Sequence, residues 1–475
     1  MPQNALKYII PLLFIALSLS FTECRKKEKI LQDKSAKLAF SVDSILFDTV
    51  FTTVGSTTKR FKIYNRFNQT LKISNIKLAK GTNSNFRINV DGYPGPDISD
   101  VEIQANDSLF VFVQVTVDPN NANTPMVIYD QILFTTNGNE QKVILEAWGQ
   151  DAYFHKNEVI CGNITWPTDK PHVLYGTVAV GFPDVCQNST LNIQPGTIVH
   201  GHVGAVLLVY KSSLNAVGLP SNIVTFRGDR LEDYLLNPAD SVAGQWRGIY
   251  FFEAYQSTIE NAVVRNAVIG IQADTLRTGQ FINLNKVKTE NSLFAGLLTQ
   301  GANVNAENCL FGNAGQHSAV FSIGGNITVN HCTFGNYWRE SIRRTPALLV
   351  QDFYLDVNEN RIHRPFAKAE FTNSIIYGEI ENELGAVLFD TNSLLKFTNC
   401  SYRLKDQDAS LNSLFVNCFR NQDPLFVEPF SKWNFKLKPE SPAKGKASLS
   451  FPTQLNDDLD SKTRDAQPDL GCYEI

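Results

Sequence analysis

The chain holds two methionines in 475 residues, only 19% charged residues, seven histidines and a net charge of −4. Low charge of that sign excludes the basic stripe that nucleic-acid binding needs, so no nucleic acid is expected as a partner. With 43% hydrophobic residues, a disordered chain is excluded as well. No Cys-x-x-Cys pair and no Cys/His spacing of the zinc type occurs, so neither a metal nor a cofactor is expected. The longest apolar run, the fourteen residues Tyr8–Phe21, falls short of the roughly 20 that cross a bilayer. What the chain has in plenty is 32 Phe and 15 Tyr, with many Val, Ile, Thr and Asn, a composition of strands rather than helices.

One phrase repeats: an Asn or His, then a small residue, then alternating apolar positions. It reads Asn261-Ala262-Val263, Asn308-Cys309-Leu310-Phe311, His331-Cys332-Thr333-Phe334, Asn373-Ser374-Ile375-Ile376 and Asn399-Cys400-Ser401-Tyr402, with a weaker copy at Lys286-Val287-Lys288. From Ala262 through Val287, Cys309, Cys332, Ser374 and Cys400 the steps are 25, 22, 23, 42 and 26 residues. A period of roughly 20–30 residues with strand content marks a solenoid of single coils. The Asn column reads as a structural corner. The long step places extra residues in Tyr337–Phe366, either an irregular coil or a loop leaving the solenoid.

At the N-terminus Lys7 precedes the apolar run, which has the size of the apolar region of a secretion signal. Cys24 follows it directly. This resembles the lipobox of bacterial lipoproteins, of the kind found in Bacteroidetes, although Glu23 stands where a small residue is usual. The resemblance implies lipidation of Cys24 and, with Arg25 next rather than Asp, an outer-membrane lipoprotein on the periplasmic or the surface face. An ordinary cleaved signal is the alternative. Residues 1–24 are thus read as signal and 25–38 as a basic, polar tether.

Between Phe40 and about Tyr153 short alternating runs such as Phe61-Lys62-Ile63-Tyr64 and Leu109-Phe110-Val111-Phe112-Val113 are separated by clusters like Tyr93-Pro94-Gly95-Pro96-Asp97. Strands at that spacing predict an antiparallel β-sandwich over 39–154. The segments Phe47–Val50 and Lys59–Asn65 resemble bacterial immunoglobulin-like modules of the ASH/MSP type, which implies a fold and no activity.

From 155 onward, Leu191-Asn192-Ile193-Gln194-Pro195-Gly196-Thr197 and Trp246-Arg247-Gly248-Ile249 resemble the entry coils of right-handed parallel β-helix proteins with the pectin-lyase-like fold. Ser441-Pro442-Ala443, Asp458-Leu459-Asp460, Arg464 and Pro468-Asp469-Leu470-Gly471-Cys472-Tyr473-Glu474 resemble the closing motifs of bacterial members. The expected fold is therefore all-β: the sandwich, a right-handed parallel β-helix over 155–440, and a closing segment over 441–475. Gly248 is expected at a tight corner.

Cys161 and Cys186 lie 25 residues apart, about one coil, and are the candidate disulfide. Cys309, Cys332 and Cys400 share a repeat position and are expected as reduced, stacked, buried thiols. Cys418 and Cys472 have no evident mate.

The pectin-lyase-like resemblance raises polysaccharide lyases and hydrolases, which work in a lateral groove with paired carboxylates or with calcium and a basic residue. The local phrases of the polygalacturonase-like hydrolases are missing; His200-Gly201-His202 sits in an entry coil and reads as structural. No catalytic residue is assigned. The segment Tyr337–Phe366 carries the densest Arg and aromatic content, and Trp338, Arg339, Arg343, Arg344 and Arg361 are the candidate ligand-binding residues, since aromatic faces and guanidinium forks are what sugar recognition uses. Gln245-Trp246-Arg247 with Tyr250, Phe251, Phe252 and Tyr255 forms a second aromatic group, about half of it expected inward. The sequence reading is an envelope lipoprotein with a non-catalytic β-helix that presents a side to glycan or protein; the alternative is a polysaccharide lyase or glycoside hydrolase on the same fold.

Overall fold

A computed structural model describes residues 29–51, 55–56, 58–117, 126–230, 242–405, 409–450 and 456–475; the signal segment and Cys24 lie outside them. The chain divides at Gln150/Asp151 into two units.

In the first unit the alternating runs make two five-stranded sheets. One orders Ala39–Phe40, Lys59–Tyr64, Ser108–Val115, Phe86–Val90 and Tyr93–Pro94. The other orders Ser44–Phe51, Asn139–Gln150, Met126–Thr136, Leu71–Leu78 and Asp97–Ile103. All pairings are antiparallel except that of Ser44–Phe51 with Asn139–Gln150. Period-two alternation turns Phe47, Phe61, Phe86, Val113, Phe134 and Leu145 inward to one core. Of the expected tether 25–38, the described part from Ile30 onward makes contacts with the sandwich. Ile30 bridges to Thr70, Leu38 N–H donates to Gln141 Oε1 at 3.0 Å, and Ala36 and Leu38 are buried.

The second unit is a stack of parallel coils. A typical coil runs through Gly248–Phe252, turns, continues as Ser257–Arg265, turns again and re-enters the first sheet as Ile269–Asp274. The first strands of successive coils form a nine-stranded parallel sheet. The other two positions form a 19-stranded sheet folded along a corner. That corner is the Asn column: φ is 44° at Asn261, 51° at Lys286, 50° at Asn308, 47° at His331, 50° at Asn373 and 51° at Asn399. Asn tolerates the left-handed region better than other non-glycine residues, so backbone geometry selects it. Its amides bond mainly to neighbouring backbone, as Asn261 Nδ2 does to Gly218 O at 3.2 Å and Asn308 Nδ2 to Asp457 O at 2.8 Å. Gly248, at φ 114°, has no room for a Cβ beside the Ile269 carbonyl.

The small residue after each corner points inward. Cys309, Cys332 and Cys400 are fully buried thiols that also close the backbone. Cys309 N–H donates to Cys332 Sγ at 3.4 Å and Cys332 N–H to Ser374 Oγ at 3.1 Å. Cys161 and Cys186 are joined across consecutive coils, with Cα atoms 5.9 Å apart. Beside this column Phe311, Phe334, Phe371 and Phe397 form a buried file, with stacked pairs 5.1 Å and 4.9 Å apart.

The long step resolves into one regular strand with two expanded turns. Leu348–Gln351 takes its place in the nine-stranded sheet. Before it, residues 337–347 form an enlarged turn; after it, Phe353–Leu355 and Arg361–His363 pair as a hairpin.

The segment after Asn421 lies along a side of the stack. Phe426, Phe435, Leu437, Leu470 and Tyr473 pack on Leu310, Ile375 and Tyr377. Gly335 carries no side chain because the Phe435 ring occupies that space. Arg464 donates to Asn308 Oδ1 at 2.7 Å and to Glu474 Oε2 at 3.2 Å, Cys472 N–H donates to Thr333 Oγ1 at 3.1 Å, and Gly471 N–H to Asn373 O at 2.8 Å. The closing motifs therefore act as a lateral latch.

Candidate functional site

The helix body has three sides, and the residues pointing outward differ sharply between them. One side lies under the latch. On the second, the outward column of the 19-stranded sheet runs Thr165, Asn192, Asn215, Thr258, Asn283, Asn305 and Thr328 in unbroken register. Its amides bond to one another: Asn192 Nδ2 to Asn163 Oδ1 at 2.7 Å, Asn215 Nδ2 to Asn192 Oδ1 at 3.0 Å and Asn305 Nδ2 to Asn283 Oδ1 at 3.0 Å. All four asparagines of the column take part in these bonds.

The third side is the nine-stranded sheet, and it carries the aromatics. Alternation sends Ile249 and Phe251 into the core and Tyr250 and Phe252 outward. Register then aligns two outward columns: Leu208, Tyr250, Gln272 and Leu298, and beside them Tyr210, Phe252, Asp274 and Gln300. Tyr210 and Phe252 rings lie 5.9 Å apart, Tyr250 and Phe252 rings 6.1 Å apart. Lys211 stands 5.1 Å from the Tyr210 ring centre and 3.2 Å from Glu253 Oε2.

Asp274 is the polar centre of this strip. Its Oδ2 accepts from Tyr250 O–H at 2.8 Å and from Gln272 Nε2 at 2.9 Å. Its Oδ1 is also buried and has no hydrogen-bond partner among the described residues. Burial raises the carboxyl above its ordinary 3.8, against the two hydrogen bonds that pull it down. The Tyr250 hydroxyl is likewise pushed up, by burial and then by the Asp274 bond. Sequence spacing gave no signal for Asp274; only the register puts it beside Tyr250, 24 residues away.

Of the five residues expected to bind ligand, Arg343 and Arg344 line one cleft and the other three lie elsewhere. Arg343 is buried and forks onto Glu383, Nη1 to Oε2 at 2.8 Å and Nη2 to Oε1 at 2.6 Å. Trp338 is 6% exposed, its Nε1–H donating to Ser341 Oγ at 2.9 Å. Both side chains are engaged within the enlarged turn and its partner Glu383. Arg339 lies 3.8 Å over the Phe430 ring of the latch. Arg344 lines an open cleft of ≈620 Å³ together with Arg343, Glu379, Glu381 and Asn382. Arg361 stands in the hairpin at the other end of Leu348–Gln351, 3.5 Å from the Phe389 ring centre and 5.2 Å from that of Phe353. Ser322, opposite Gln300 in the next coil, donates its Oγ to Phe353 O at 3.3 Å and so ties the start of this hairpin to the nine-stranded sheet.

The remaining suggestions are structural. His200 is buried against Gly228 O at 3.0 Å, and burial pushes it down to about 4. His202 pairs with Asp229 at 2.6 Å, and Trp246 is a core residue donating to Arg265 O at 3.0 Å. Among the described residues no group of three or more His, Cys, Asp or Glu side chains could hold a metal ion.

No protein-family model matches the chain, and no curated protein matches it in sequence. Solved structures similar to parts of it include the catalytic unit of a GH87 α-1,3-glucanase from Streptomyces thermodiastaticus, at 10% identity over 72% of this chain and 79% of that one, with a TM-score of 0.28. The ASH/PapD-like domain 7 of human CEP192 matches at 10% identity over 28% of this chain and 94% of that one, TM-score 0.17. A family 123 glycoside hydrolase from Clostridium perfringens matches at 12% identity, TM-score 0.19; the match covers 26% of each chain.

Proposed function

We propose that this chain is an envelope lipoprotein whose β-helix binds an extended glycan along the outer side of the nine-stranded sheet without cleaving it. The supporting observation is the strip of Tyr210, Tyr250 and Phe252 with Asp274, Gln272 and Gln300 interleaved in register. Flat rings offer stacking surface to the apolar faces of sugar rings, and the amides and carboxyl between them accept and donate to hydroxyls. Coils repeat at about 4.8 Å, so the strip presents successive groups to a polymer lying along the helix axis. Cys24, as a lipid attachment site, would hold the unit at the outer membrane; Cys24→Ser should then release it to the soluble fraction, and a variant that stays membrane-bound overturns that part.

Affinity electrophoresis against a panel of neutral and acidic polysaccharides tests binding. Tyr250→Ala and Phe252→Ala should each weaken retention about 10-fold or more, since truncating a central aromatic anchor costs upward of about 1.4 kcal/mol. Retention unchanged in both variants overturns the assignment of this face.

The second reading, hydrolysis, is favoured by one observation. Burial raises Asp274 above its ordinary value while the neighbouring Glu253 is ion-paired with Lys211 at 3.2 Å, and acid–base cleavage employs two carboxyls placed in different environments. Release of reducing ends by the wild type, lost in Asp274→Asn, would replace the binding reading with this one.

A further inference from the structure

The last two rungs of the small-residue column are both cysteines. Register pairs Thr398 with Val416 and Ser401 with Phe419, which sets Cys400 directly opposite Cys418. The step of 18 residues from one to the other makes a coil shorter than any earlier repeat step. Directly opposed residues on adjacent parallel strands have Cα atoms about 5 Å apart, inside the roughly 4.4–6.8 Å that a disulfide spans. Cys400 N–H donates to Cys418 Sγ at 3.4 Å, so the second sulfur already lies over the first residue. The thiols otherwise donate only to strand carbonyls, Cys400 to Phe371 O at 3.4 Å and Cys418 to Phe397 O at 3.5 Å.

Cys309 and Cys332 repeat this relation one stack earlier, but both are fully buried. Cys418 is different: it is only half-buried, between the exposed Asn417 and the half-buried Phe419, on the terminal rung. A reagent in solution can therefore reach one member of this pair and neither member of the other.

We propose that Cys400 and Cys418 form a disulfide when the folded protein meets a small disulfide oxidant. Such a bridge staples the final coil, where Phe415 stacks on Phe397 at 5.3 Å and on Tyr402 at 4.4 Å; a solenoid has a neighbour on only one side at its end and frays there first. The chain already carries one coil-to-coil bridge, at Cys161–Cys186. The reaction begins with the Cys418 thiolate attacking one sulfur of the oxidant, here oxidised glutathione, expelling one glutathione thiolate and leaving a mixed disulfide. Cys400 then gives its proton to solvent and attacks Cys418 Sγ, expelling the second glutathione. Two electrons pass from the two protein thiols to the reagent, and each expelled thiolate takes up a proton. Hydrogen bonding from Cys400 holds the Cys418 thiol below its ordinary range, which favours it as the first nucleophile.

The test is brief treatment of the native full chain with oxidised glutathione, followed by alkylation and a non-reducing digest. The expected result is a peptide linking Cys400 to Cys418, loss of two of the five free thiols found among the described residues, and a rise of several degrees in the thermal midpoint that dithiothreitol reverses. Cys418→Ser should abolish the link and the shift, whereas Cys332→Ser should leave both intact. The proposal is overturned if Cys418 accumulates as a persistent glutathione adduct, if no thiol reacts, or if the link forms only after denaturation.

Discussion

Arg343→Met tests whether the enlarged turn before Leu348 is a staple or a ligand wall. In the wild type the guanidinium meets both oxygens of Glu383 and also donates to Asn336 O at 2.9 Å. Glu383 is fully buried and accepts from Ala347 and Ile380 N–H at 2.9 Å each. Removing the cation leaves a carboxylate in the interior with two backbone donors and no counter-charge, which costs about 3–5 kcal/mol. Burial already holds the Glu383 carboxyl above its ordinary 4.5 while Arg343 opposes the rise; without Arg343 it climbs further. Between the unfolded value and that raised value the folded chain holds a proton that the unfolded chain lacks, so stability falls as pH rises through the window. Urea denaturation followed by tryptophan fluorescence should therefore show a smaller deficit for the variant at pH 5 than at pH 8. Arg343→Met combined with Glu383→Leu should recover most of the loss, because an apolar pair carries no desolvation penalty. A single variant within about 1 kcal/mol of wild type, or one that loses glycan retention at unchanged stability, refutes the reasoning.

Arg464→Ala should make the latch the first segment cleaved in limited proteolysis, with cuts after about residue 440 while the coils persist; simultaneous loss of both would show that the latch and stack fold as one. Cys332→Ala should cost about 1–3 kcal/mol, because Cys309 N–H loses its acceptor, while Cys332→Ser, which copies Ser374 in the same column, should cost less; equal costs would mean the column only fills space. Burial holds His172 and His200 down at about 4 and His331 at about 3. The unfolded chain then binds more protons below pH 6.5, so stability is present above that pH and is lost as pH falls toward 4. For His200 the difference from an ordinary 6.5 is roughly 3 kcal/mol, and a thermal midpoint that does not drop between pH 7 and pH 4.5 would contradict it.

The solenoid was legible because its period is written in residue types that backbone geometry enforces. A left-handed corner admits Asn, His or Lys at the same position of each coil, and a buried slot after it admits Cys, Ser or Ala. Both constraints act within one coil and repeat, so they survive in the sequence. The division of the long step was not legible, since Leu348–Gln351 is too short to announce itself between two expanded turns. The fork of Arg343 was not legible because its partner Glu383 lies 40 residues downstream, and an Arg in a buried fork looks the same in sequence as one facing solvent. Cys418 found no mate for a related reason: its coil is 18 residues long, outside the period the other steps define.

The side available to a ligand follows from what occupies the other two. The latch spreads over strands around Leu310, Thr333 and Ile375, and its ion pairs, Lys286 with Asp457 at 2.6 Å and Lys288 with Asp460 at 3.5 Å, extend that cover back toward the middle coils. On the Thr/Asn side the four asparagines of the column are already bonded to one another or to Asn163, so a polymer lying on them would exchange bonds already made for bonds of equal kind. On the nine-stranded sheet the outward positions from Leu208 to Leu298 combine half-exposed rings with a carboxyl whose second oxygen has no partner among the described residues. That second oxygen is itself buried beside Tyr250, so the exposed Phe252 ring and the half-buried Tyr210 and Tyr250 rings are what the strip offers first to an incoming sugar.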